Sequence, residues 1–451
     1  MSSPGNVAVG PASEQLQAIL NDHAFVGKLL SEYKTLPQQV LPLIGNGHVA
    51  CAVSDGRATD IASLSTKDAA LAFVILVCVA RVSSDPVIAG QGAKDAADSF
   101  LKARRHHLDL RAFGQARDSL CLELETRARA YALAAGVGLD LQPNSVLISL
   151  LAGHSHSARD QGGKTWTDAG FQTLRALRER EEAVNRANGA PPGQSALSQS
   201  ICVNLAIAQV VHNILCESVP RIRADDDLLL YRECALKPDV QAMLAASKTS
   251  KERVMGMWDV LAKAAFETVC SARDIAERLY APCKPITDDA ALHTVRTLLQ
   301  ISSTMETIES QLRSCLPPLG DGTGEHASRL AVAHCYFDST PLWYSVVALC
   351  AYNTLAARAL TLRSEGNSFA ATLRADRADF DAAQMRKLVL HVASMVANAF
   401  APPRMPELSF LCGKVRLAVV DEWAALVRDA DDMELRERAR CLSMYVVLSS
   451  G

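Results

Sequence analysis

The sequence predicts an all-α protein, and three observations carry that expectation. Apolar residues recur at steps of three and four over long segments, Ala, Leu and Arg fill those segments, and β-branched or aromatic residues seldom alternate with polar ones. Leu298, Ile301, Met305, Ile308, Leu312 and Leu316 form one such stripe. Phe113, Ala116, Leu120, Leu124, Ala128 and Tyr131 form a second, and Met385, Leu388, Val392, Met395 and Ala399 a third. At 3.6 residues per turn each set falls on one side of a helix, so three amphipathic helices are expected.

Between the stripes the chain breaks sharply. Asn188–Ser195 (NGAPPGQS), Pro220, Pro317–Glu325 (PPLGDGTGE) and the pair Pro402 and Pro403 are the clearest loops, and none is long enough to be a linker between separate domains. Ala69–Ala80 is an unbroken apolar run closed by Asp68 and Arg81. Spanning a bilayer takes about 20 residues, so this shorter run reads as a helix buried on all sides and no membrane association is expected. At about 11 to 12 residues per helix the chain holds roughly fifteen or more helices, in one large domain or two tightly joined halves. Residues 1–24 are expected to be flexible and residues 25–451 to form the helical body.

Composition narrows the class. With 49% hydrophobic and 21% charged residues over 451 positions the chain has ample material for a core. A net charge of −3 gives no general attraction to nucleic acid, and the densest basic run, KARRHH at Lys102–His107, reads as a charged helix face. The opening MSSPGNVAVGPASEQ lacks the basic and apolar blocks of a secretory signal. Thirteen cysteines lie mostly inside apolar segments and never as Cys-x-x-Cys, which predicts buried thiols rather than disulfides or a zinc site.

The stretch 144–177, NSVLISLLAGHSHSARDQGGKTWTDAGFQTLRAL, holds the most suggestive local chemistry. His154 and His156 are two residues apart, with Asp160 the nearest acid, too few groups for a metal. Gly162, Gly163, Lys164 and Thr165 look like the end of a phosphate-binding loop, but Ala158 stands where that loop needs a glycine, and no strand precedes it. Residues 154–165 are therefore expected to be a connector between antiparallel helices, with Trp166 as the anchor that buries its indole against the preceding helix.

Two acid groups invite a different reading. Asp225, Asp226 and Asp227 are consecutive, and Asp429, Asp431, Asp432 and Glu434 form a second group. Helical prenyl-transfer enzymes hold magnesium diphosphate through aspartates, but a helical metal site wants carboxylates at i, i+3 or i+4. Consecutive aspartates splay, so solvent-exposed roles are expected for both groups, with no metal and no cofactor. An enzyme using Asp225–Asp227 and the Asp431 region, or a scaffold that only binds partners, are the competing classes.

The order of segments carries a resemblance. LLSEYKTLPQQVL (29–41), ALAFVILVCVARVSSDP (70–86), ARAYALAAGVGL (128–139) and the 144–177 stretch with Thr165-Trp166 and AGFQTLRAL follow one another as in the middle homology region of fungal-specific zinc-cluster transcription factors. RDIAERLYAP (273–282), HTVRTLLQISSTMETIESQLRSCLPP (293–318) and AHCYFDSTPLWYSVVALCAYN (333–353) extend the similarity. The resemblance implies a nuclear, non-enzymatic regulatory domain that responds to a small-molecule effector or to co-regulator proteins of the transcriptional machinery, and it allows a homodimer. Departures are clear: Cys51 is the only cysteine among the first 77 residues, so the six-cysteine zinc cluster is missing and DNA contact would need a separate module. AYNTLAARAL and LRERE also stand where the family carries Arg-Pro and Leu-His-Arg.

Overall fold

The computed structural model describes residues 11–32, 60–81, 83, 85–90, 111–155, 161–189, 199–247, 249–312, 315, 325–364, 368–399, 422 and 426. Among the described residues there are fifteen α-helices, one 3-10 turn and no strand. The chain divides into two compact units, whose helices lie in the residues up to Ala208 and in Gln209–Ala399 respectively.

The first unit contains α1 (Glu14–Asn21), α2 (His23–Glu32), α3 (Thr66–Ala80), α4 (Pro86–Ala89), α5 (Arg111–Ala134), α6 (Pro143–Ser155) and α7 (Gln161–Ala187). α1 falls inside the segment 1–24 that was expected to be flexible. Leu16 and Ile19 are buried, and Ser13 caps the helix while its backbone N–H donates to Glu123 on α5 at 2.8 Å. Two buried anchors and a cap that also reaches a neighbouring helix hold so short a helix.

α3 is the apolar run, and every residue from Ala69 to Ala80 is buried, as the lack of a polar face requires. It packs against α2, α5 and α6. The stripe predicted for α5 faces inward at Leu120, Leu124 and Ala128.

α6 and α7 form a close helical pair. The run Gly162-Gly163-Lys164-Thr165 is not loop but the first turn of α7, and His154 lies in the last turn of α6. Glycine here serves proximity: a Cβ on Gly153 would stand 2.5 Å from Thr167 Cγ2 and 3.5 Å from the Gly163 carbonyl oxygen. One on Gly170 would stand 2.8 Å from Ser149 Cβ. Ser145 and Ser149 line the same helix one turn apart and are fully buried. Small residues on both helices let the backbones approach, and Trp166 is buried to 8% exposure one residue before Thr167.

α8 (Gln199–Leu215) contains the division between the units. The second unit continues with α9 (Asp226–Leu230), α10 (Arg232–Leu236), α11 (Val240–Ala246), α12 (Ser250–Leu279), α13 (Asp288–Leu312), α14 (Glu325–Ser364) and α15 (Phe369–Ala399). α12 opens with a capping box, Thr249 accepting from the Glu252 N–H while the Glu252 carboxylate accepts from the Thr249 N–H. The stripe Leu298, Ile301, Met305, Ile308 and Leu312 is buried on α13, and Met385, Leu388 and Val392 on α15. α14 and α15 pair along their length, and α15 also packs on α13. Trp343–Ser364 of α14 has the length and apolarity of a membrane span, and Trp343, Tyr344, Val346, Val347, Leu349 and Leu355 on it are buried within the protein.

The α6–α7 contact gives a direct test by urea unfolding. Gly153→Ala and Gly170→Ala should each lower stability by about 1–3 kcal/mol through overpacking, and Trp166→Ala by about 3–5 kcal/mol. Lys164→Ala, which loses only a helical ion pair to Asp168, should stay within about 0.5 kcal/mol. A Gly153→Ala protein as stable as the parent would contradict the close approach.

Candidate functional site

A polar construction around a forked ion pair is built where the chain turns into α9. Asp225 sits at the cap position, exposed and without a side-chain hydrogen bond to the helix. Asp226 points inward, fully buried, and its Oδ2 accepts from the Arg223 N–H at 2.8 Å. Asp227 meets Arg273 of α12 side on: Nη1 donates to Oδ1 at 2.7 Å and Nη2 to Oδ2 at 3.0 Å. Arg273 Nη1 also donates to the Arg223 carbonyl at 3.1 Å, so one guanidinium gathers three acceptors from a single turn.

The electrostatics follow from burial. Removal from water alone would weaken the charged form of Arg273, but the hydrogen bonds and charge of Asp227 outweigh it and hold the guanidinium above its ordinary value. Cys270, one turn before Arg273, donates to Asp227 Oδ2 at 3.7 Å. Burial and the Asp227 charge push its thiol up to about 12, so it stays protonated and is a poor nucleophile.

Asp225–Asp227 therefore do not share the solvent-exposed role the sequence suggested. Only Asp225 is exposed; Asp226 closes its own turn and Asp227 is held by an arginine. The three carboxylates diverge, and Asp227 faces a cation already in place. The second acid group, Asp429, Asp431, Asp432 and Glu434, lies outside the described residues, as do Lys102–His107, His156 and Asp160.

Other buried charges are likewise engaged between helices. Lys263 of α12 donates to the Cys234 carbonyl of α10 at 2.9 Å and sits 3.6 Å from Glu267, whose carboxyl burial raises. Arg358 of α14 donates to the Ile286 carbonyl at 3.0 Å and pairs with Asp288 at the start of α13. In the first unit Arg81, at the end of α3, pairs with Glu125 of α5, and burial lowers its pKa. Lys164 pairs with Asp168 at 3.2 Å within α7. Among the described residues no three or more His, Cys, Asp or Glu side chains gather as metal ligands would.

Arg273 was not singled out by sequence. Its signal was present: Val269, Ala272 and Ala276 around it are buried, so it interrupts an apolar helix face with a charge that needs a partner. Compared with known protein families, curated proteins and solved structures, the chain matches none of them.

Two outcomes test these charges. Arg273→Leu should cost about 3 kcal/mol, the low end for breaking a buried pair, because Asp227 keeps some contact with water. Arg273→Lys, which cannot make the forked contact, should recover only part of it. Equal stability of all three proteins in urea would show that the clamp does not hold α9 to α12.

Asp381 on the inner side of α15 supplies a pH signature. Burial raises its pKa against the lowering by Arg377 and Arg358, and Asp288 adds to the rise. The folded state then binds the proton more tightly than the unfolded chain, so this residue makes stability fall as the pH climbs from about 4 through the raised value. Asp381→Asn should flatten the pH dependence of the urea midpoint between about pH 4 and neutrality without lowering it at neutral pH. A steeper dependence in the variant would contradict the assignment.

Proposed function

We propose that the chain is a non-enzymatic helical regulatory domain that works by binding another protein, of the kind found in fungal transcription regulators, and acts in the nucleus. The observation that carries the reading is the outer side of α15. Phe369, Leu373 and Phe380 are 80%, 54% and 55% exposed on a helix whose inner side, from Ala371 to Val392, is buried. Scattered single apolar residues on a surface need no explanation, but three large ones at positions one helical stripe shares form a surface suited to a partner. The engagement of Asp227 by Arg273 supports the same reading over magnesium-diphosphate chemistry, because that chemistry needs the carboxylates of Asp225–Asp227 turned together toward a ligand.

The full chain fused to an unrelated DNA-binding domain should change expression of a reporter carrying the matching site by at least severalfold. A Leu373→Ser, Phe380→Ser double variant, folded by circular dichroism, should lose most of that change. A reporter indifferent to the fused chain would overturn the regulatory reading.

A further inference from the structure

We propose that the outer stripe of α15 is the docking face for an acidic amphipathic helix of a partner protein. The inference rests on the partner-binding reading above and adds the partner's chemistry. Phe369, Leu373, Asp376, Phe380, Ala383 and Lys387 follow one another at steps of four and three, the spacing with which one helix presents a seam to another. All six are exposed, while Ala371, Ala375, Ala378, Asp381 and Met385 form the buried side of the same helix. α15 therefore carries apolar residues on two sides, and among the described residues only the inner one is packed against other helices.

Charge selects the occupant. Arg377 beside the seam, with Arg386 and Lys387, is exposed or half-buried on α15, against Asp376 and Asp379. Asp379 is already paired with Arg363 of α14 at 2.6 Å. The Arg377 guanidinium lies 5.7 Å over the Phe380 ring and 3.5 Å from the buried Asp381, while its side chain keeps 45% of its surface in water. That stack joins the apolar seam to the basic rim, so a carboxylate laid beside Phe380 meets a cation whose position is already set. A helix with leucine or phenylalanine along one seam and acidic residues beside it complements both features. Asp376, at the middle of the seam, asks for one basic residue opposite it, which distinguishes such a helix from a uniformly acidic one. A second copy paired in parallel register sets Asp376 against Asp376 and Arg377 beside Arg377, and the oligomeric state tests that occupant.

The probe is a short designed helix with leucines at seam spacing, glutamates on both flanks and one lysine at the position facing Asp376, together with a twin carrying lysines on the flanks. In fluorescence anisotropy with the full chain, the acidic peptide should bind at least about tenfold more tightly than the twin, and added salt should weaken it. Phe380→Ala should weaken it about tenfold. Arg377→Glu combined with Lys387→Glu should narrow or reverse the preference between the peptides. Equal binding of the twins, or no binding of either, overturns the proposal. So does a concentration-dependent dimer in sedimentation that Leu373→Ser disperses, because a second copy would then own the face. If the reporter effect still depends on Leu373 and Phe380 while the acidic peptide is not preferred, partner binding stands and only the partner's chemistry falls; a reporter indifferent to the chain removes the underlying reading instead.

Discussion

An arginine taken out of water keeps its charge, and the cost of burying that charge is recovered only if acceptors meet it in the right geometry. Arg273 satisfies this with two carboxylate oxygens of Asp227 and the Arg223 carbonyl, all from one turn of chain. A related contact occurs where Arg358 of α14 joins the Ile286 carbonyl and Asp288, while Arg81 just past α3 forms an ion pair with Glu125 of α5. In a chain rich in alanine and leucine, apolar faces alone tolerate sliding of one helix along another. Contacts to particular oxygens do not, so Arg273 and Arg358 fix the register in which α9 and α13 meet their longer neighbours α12 and α14.

The helical class was legible because it depends on periodicity, which every residue of a stripe reports. Leu298 through Leu312 and Met385 through Val392 are buried on the sides their spacing indicated. Gly162 and Gly163 were misread as loop, since glycine lowers helix propensity and often marks a break. In the first turn of a helix that penalty is small, and at Gly153 and Gly170 the missing Cβ is what allows α6 and α7 to approach. The hazard in judging Asp225–Asp227 was similar. Three acids in a row look like a solvated cap, and nothing local reveals that Arg273, 46 positions on from Asp227, supplies the counter-charge. Arg273 itself could have been suspected from its apolar surroundings, but its partner could not be named without the fold.

Trp166 follows the same division. Its burial could be expected from a lone large indole beside an apolar helix. Its setting could not, because the helix around it begins several residues earlier than the glycine run suggests. The outer stripe of α15 was hidden for another reason: Phe369, Leu373 and Phe380 look like core residues until Met385, Leu388 and Val392 are seen to claim the opposite side. One helix thus carries Asp381 and its arginines on its inner side and the exposed Phe369, Leu373 and Phe380 on its outer side.

Amide hydrogen exchange on the full chain measures most directly whether a buried arginine fixes the arrangement of the second unit. In the parent protein the amides of α12 around Arg273 and those of α9 should exchange slowly and together, as one cooperative unit. In Arg273→Leu, protection should fall in α9 and in the facing part of α12, while the pairing of α14 with α15 keeps its slow exchange. Unchanged protection of α9 in the variant would contradict the central role given to the clamp, because apolar packing alone would then suffice to hold that turn in place.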